Sequence, residues 1–159
     1  MSSSATHTLE HVRFGRIELA EEALIHCNEL PGFPTARRLA LLEHDRPSWF
    51  AWLVCFELPE IAFAVTDPLR FYPDYRPRPH LSDLRAISAT PDDELDVLVI
   101  ANVNEKGTFL NLAAPLLVNA RARRLIQAIL ADQDWPLWAP LDPRTAADGS
   151  HQIESNPHR

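Results

Sequence analysis

The stretch IAFAVTDPLRFYPDY, Ile61 to Tyr75, decides how this chain folds, because it runs an apolar strand straight into a stiff aromatic loop. Successive side chains of a strand point to opposite faces, so Ile61, Phe63 and Val65 share one face and Ala62 and Ala64 the other. The large face can fill a core, and the small face lets another backbone approach. Asp67-Pro68 stops the strand, since proline donates nothing to a ladder and steers the residue before it away from helix. Phe71, Tyr72 and Tyr75 then follow, with Pro73 and Asp74 between them. Rings so dense on a connecting loop either fold back as a lid on the core or meet a partner. The residues alone leave both readings open.

Working outward, Ser48 to Leu58 is apolar in both parities and reads as a strand covered on both faces. Pro59-Glu60 is expected to turn it back into the Ile61 strand. Near the start, Val12 and Phe14 have one parity and Ile17 and Leu19 the other, which predicts a β-bulge at Gly15-Arg16. Ala23 to Asn28 is a short strand, Leu30-Pro31-Gly32-Phe33-Pro34 a turn, and Leu39 to Glu43 a further strand. A short helix is expected over Leu81 to Arg85 with Ser82 as N-cap. Leu95 to Val103 is a long strand that turns at Glu105-Lys106-Gly107 into Thr108 to Ala113, and Leu116 to Asn119 follows. Ala120 to Ala131 stays open: Leu125, Ile126, Ile129 and Leu130 recur with helical spacing, while Arg121 to Arg124 can instead turn a hairpin into a strand.

A chain of 159 residues with 46% hydrophobic content suits one domain. Residues 1–8 and 143–159 are polar and are expected to be disordered ends around a folded body, 9–142. Fourteen prolines against four glycines indicate many stiff turns between short apolar runs, which fits a mainly β domain. No run of apolar residues is long enough to span a bilayer, and the N-terminus lacks a basic region followed by an apolar one. A cytoplasmic location is the expectation. Net charge is −7 and Lys106 is the only lysine. Direct binding of nucleic acid, which needs a cationic stripe, is disfavoured. Binding of a basic protein is compatible.

Nothing in the chain looks like an active site. The seven histidines show no metal-ligand spacing, and no glycine-rich phosphate motif occurs. Asp92, Asp93, Glu94 and Asp96 read as a solvated turn. Cys27 and Cys55 sit in apolar segments, as buried free thiols do. No catalytic, cofactor-binding or metal-binding residue is assigned, and no cofactor.

Several motifs in order carry a likeness: Phe14-Gly15-Arg16-Ile17, Leu30-Pro31-Gly32-Phe33, Leu41-Leu42-Glu43, Trp52-Leu53 and Pro59-Glu60-Ile61-Ala62-Phe63. After them come Val65-Thr66-Asp67-Pro68, Phe71-Tyr72-Pro73-Asp74-Tyr75, Asn111-Leu112-Ala113-Ala114-Pro115 and Val118-Asn119. Together they resemble the flagellar assembly factor FliW family over roughly residues 10 to 140. The resemblance implies a compact antiparallel β-barrel with one or two short helices and no catalysis. It implies a cytoplasmic protein, monomeric when free, that binds flagellin before export and, once released, sequesters the translational regulator CsrA. Phe71, Tyr72, Asp74 and Tyr75, with Asn111 and Asn119 of the second signature, are the candidate partner-binding residues. Two departures stand out. Val54-Cys55 replaces a polar Gln-Ser pair, and Leu125 stands where the family turns on a glycine, a left-handed position that would strain a leucine. The alternative is a small-barrel enzyme holding a flavin-type cofactor, which an absorption spectrum would reveal.

Overall fold

The computed structural model describes residues 5–44 and 46–141. Eleven strands and one α-helix are present among them: β1 Thr6–His11, β2 Gly15–Ala20, β3 Ile25–His26, β4 Arg38–Glu43, β5 Phe50–Cys55, β6 Leu58–Thr66, α1 Leu81–Ala86, β7 Asp96–Asn104, β8 Gly107–Leu110, β9 Leu116–Asn119, β10 Arg124–Gln127 and β11 Ala139–Pro140. The segment expected to be a disordered N-terminus is therefore ordered from Thr6, which pairs with Ala20. The expected polar tail, 143–159, lies outside the described residues.

Seven strands close on themselves. The pairings run β7–β6–β5–β4–β3–β10–β9, and β9 pairs again with β7. Closure removes the exposed edges that an open sheet would leave. All neighbours in the ring are antiparallel except β3 and β10, which run parallel at Arg124 and His26. The far edge of β7 is shared: its first residues pair with β9 and its last with β8, so β8 and β11 branch off as an extension.

Residues opposite one another in register share a face, and this divides the core in two. Leu39, Leu53, Cys55, Val65, Leu116, Val118 and Leu125 point into the ring and form one buried cluster. Ala40, Trp52, Val54, Ala62, Ala64, Val99 and Ala101 point outward into a second. The Ile61 strand thus obeys its parity. Phe63 and Val65 line the interior, while the alanine face lies under other chain segments. Ile61 itself is half-buried. A third cluster forms where Leu84 of α1 and Ile87, which caps its C-terminus, pack on Leu117 of β9 and on Ala128 and Leu130.

Several expected boundaries moved. The phase break near Gly15 is not a bulge within one strand but the end of a hairpin loop: Val12 to Phe14 turn the chain, His11 pairs with Gly15, and Gly15 takes φ +71°. A three-residue loop closed by a left-handed glycine is a common hairpin geometry. The His11 ring fixes this loop. Its Nδ1 accepts from Arg13 N at 3.0 Å while Nε2 reaches Ile61 O at 2.9 Å, which places the ring proton on Nε2. The turn between β5 and β6 falls at Phe56-Glu57, not Pro59-Glu60. Pro59 lies in β6 where the register jumps from Val54↔Ala62 to Cys55↔Leu58, an irregularity that spares it from donating to the ladder. Helix α1 is capped by His80 rather than Ser82, with the Asp83 carboxylate accepting from His80 N at 3.1 Å. The ambiguous segment Ala120 to Ala131 contains the strand β10, not a helix.

Candidate functional site

The loop after β6 is built inward. Asp67 accepts from Leu69 N at 3.0 Å and caps a short 3₁₀ turn, Pro68–Arg70. Phe71 then drops onto the outer cluster, 5.5 Å from the Trp49 ring centroid and 5.8 Å from that of Phe50. Tyr75 is 2% exposed. Its ring meets Trp135 edge-on at 4.7 Å, and its hydroxyl donates to Leu112 O at 2.8 Å. Burial pushes the phenol's pKa upward. Tyr72 is half-buried, and its hydroxyl donates to Pro140 O. Asp74 is exposed. The loop is thus a lid, tying β6 to the β8–β11 extension through two tyrosine hydroxyls.

The two asparagines are placed the same way. Asn111 is half-buried, and its Oδ1 accepts from Ala114 N at 3.1 Å, shaping the turn into β9. Asn119 is buried at the end of β9. Its Nδ2 donates to Ile87 O at 2.9 Å, fastening α1 to the ring. Of the six candidate partner-binding residues, Phe71, Tyr75 and Asn119 spend their side chains on the fold. Asp74 faces solvent, and Tyr72 and Asn111 reach it in part.

A different surface is open. One end of the ring is plugged by the loop after β3. There Leu30 is buried, Gly32 takes φ +85° between Pro31 and Phe33, and Phe33 meets Phe63 edge-on at 5.1 Å. Among the described residues the opposite end has no such plug. Leu41, Leu98 and Val118, all on inward parity, line a cleft of about 380 Å³ together with Asp67, Pro68, Leu69 and Asp96. Leu41 is 39% exposed and Leu69 is 49% exposed. A second recess of about 630 Å³ adjoins it, sharing Asp67 and Leu98 and bounded by Glu43, Trp49 and Arg70. Sequence reading passed over this end. The available signals were Leu41, the last inward apolar position before Glu43, and Leu69, an apolar residue placed just after a strand-ending Asp-Pro.

Neither a metal centre nor a reactive thiol emerges. Among the described residues no group of His, Cys, Asp and Glu is arranged to hold a metal ion. Burial, reinforced by the neighbouring Cys55, pushes the Cys27 thiol up to about 11, and burial also raises that of Cys55. Reactivity follows the thiolate, so both thiols should resist Ellman's reagent at pH 7.5 in the native protein and react fully after denaturation. Rapid native labelling would contradict this burial. Near these thiols, burial works against the charge of Glu57. The N–H groups of Arg38 and Arg37 and the Arg38 guanidinium nonetheless hold its carboxyl below the usual range. On the surface, His80 is held above its ordinary value by a hydrogen bond to Asp132, which links the start of α1 to the loop after β10.

Comparison with known proteins places this architecture. The family model described as FliW protein matches residues 8–141. A flagellar assembly factor FliW of Bdellovibrio bacteriovorus is 34% identical over 132 residues, covering 81% of this chain and 75% of that protein. One from Caldicellulosiruptor bescii is 33% identical over 128 residues, covering 78% and 83%. A crystal structure of a flagellar assembly factor FliW superposes with a TM-score of 0.78 at 24% identity, over 86% of this chain and 98% of the other. The overall architecture is thus a shared fold.

Proposed function

This chain belongs to the FliW family, and from that premise we propose that it binds flagellin in the cytoplasm before export. When released from flagellin it holds CsrA, so that flagellin synthesis follows flagellin export. The observation that carries this reading is the family match across residues 8–141, nearly the whole described chain. The net charge of −7 supports the second half, because an acidic surface attracts a basic RNA-binding regulator and speeds encounter with it. Val54 and Cys55, where the resemblance implies a polar pair, are both fully buried. Both side chains lie in the core, Cys55 inside the ring and Val54 in the cluster outside it.

Titration of the purified chain with its cognate flagellin and CsrA tests the proposal. Binding of each at micromolar concentration or below is expected, and flagellin added to a preformed complex with CsrA should release CsrA. Absence of binding to both partners would overturn it. Simultaneous binding of both would overturn the coupling while leaving flagellin recognition in place.

A further inference from the structure

We propose that the open end of the ring is a docking groove for a protein segment whose apolar side chains are flanked by arginine or lysine. The proposal deepens the assembly-factor reading by assigning it a surface and a chemistry.

Shape comes first. The inward faces of β4 and β7 reach solvent here, at Leu41 and Leu98, above the buried Val118 of β9, whereas the other end is sealed by Leu30 and Phe33. Apolar area left in water favours a cover, at roughly 25 cal/mol for each Å² removed. The groove is preformed: its floor is strand, and its wall is the 3₁₀ turn held by Pro68 and the Asp67 cap. A preformed wall lowers the ordering cost of binding. The cleft is also open-sided and continues into the neighbouring recess through Asp67 and Leu98. Pockets for small ligands enclose most of their occupant, so an extended or helical chain segment fits better than a small molecule.

Charge then selects the segment. Asp67, Asp96 and Tyr75 are the titratable residues lining the 380 Å³ cleft, and the Tyr75 hydroxyl is committed to Leu112 O. Among the described residues no Arg, Lys or His lines that cleft. Asp67 and Asp96 are both exposed. The adjoining recess is mixed in charge: Glu43 adds a carboxylate, while Arg46, His44 and Arg70 also line it, with Arg70 drawn over the Trp49 ring at 5.5 Å. The selection therefore acts in the first cleft, at Asp67 and Asp96: an acidic occupant would meet like charge there, and a basic one gains both attraction and register.

A display library of random 12-residue peptides, panned on the whole chain, tests this without flagellin or CsrA. Apolar peptides carrying Arg or Lys should be enriched. Their affinity, read by fluorescence polarisation, should fall about tenfold or more in Leu69→Asp and in Asp96→Lys. Leu137→Asp, a change at an equally exposed leucine outside the groove (53%), should bind as the parent does. Melting temperatures separate lost binding from lost folding, and Leu69, on an exposed turn, decides the matter if the Asp96 variant unfolds. No enrichment, enrichment of acidic peptides, or unchanged affinity in Leu69→Asp overturns the groove. That failure with flagellin binding intact leaves the assembly-factor reading standing. Peptide selection as expected without binding of flagellin or CsrA removes that reading and keeps the groove.

Discussion

Replacing Tyr75 by alanine should destabilise the fold by about 3–5 kcal/mol, the cost of deleting a large buried ring. For a chain of this size that lowers the melting temperature by roughly 10 °C. The side chain is 2% exposed and packs edge-on against Trp135, and an aromatic pair of this kind adds to plain area burial. Tyr75→Phe keeps the ring and removes only the hydroxyl, leaving Leu112 O without its donor. A lost hydrogen bond that strands a buried acceptor costs about 1–3 kcal/mol, so the phenylalanine variant should fall between parent and alanine. Urea unfolding followed by tryptophan fluorescence reads both. An alanine variant within 1 kcal/mol of the parent would show that the loop does not close the core, and would return its rings to the role of a contact surface.

That outcome bears on how much could be read from residues alone. Strand parity in Ile61 to Thr66 was legible because it depends only on local alternation, and both of its faces meet other parts of the chain as expected. Asp67-Pro68 was legible for the same reason: a cap and a missing N–H act within three residues. What escaped depends on partners distant in sequence. Whether the rings of Phe71 to Tyr75 fold inward is settled by Trp49, Leu112 and Trp135. No pattern within the loop reports them.

The same division explains the misplaced turns. Pro59-Glu60 looked like a hairpin tip because proline usually sits in turns, yet an irregular pairing in β6 accommodates it and moves the turn to Phe56-Glu57. Gly15 signalled a backbone irregularity correctly. Whether that was a bulge or a hairpin end depended on β1 pairing back onto β2. The open end of the ring escaped because it is defined by an absence of cover among the described residues, which only the closed set of strands reveals.

The strongest test of the ring closure is a pair of glycine substitutions two residues apart. The family resemblance implies a turn on glycine at the place of Leu125, yet the left-handed residue is Arg123, at φ 54°, and Leu125 is 2% exposed within β10, opposite Val118. The turn is therefore made at Arg123, and arginine tolerates it by anchoring. Arg123 Nη1 donates to Glu21 O at 2.8 Å, and Arg123 O accepts from His26 N at 2.8 Å. Arg123→Gly relieves a left-handed strain of about 1–2 kcal/mol. It gives up a hydrogen bond worth about 1 kcal/mol and loosens the unfolded chain by up to about 1 kcal/mol, so the net change should stay within about 1 kcal/mol. Leu125→Gly strains nothing less and loses far more. It removes a fully buried leucine, at about 2–5 kcal/mol, and places glycine inside a strand at a further 0.5–1 kcal/mol or so. The second variant should thus be the less stable by several kcal/mol in urea unfolding. Equal stabilities, or a more stable Leu125→Gly, would put the left-handed residue at 125 and remove β10 from the ring at the place where β3 and β9 must meet it.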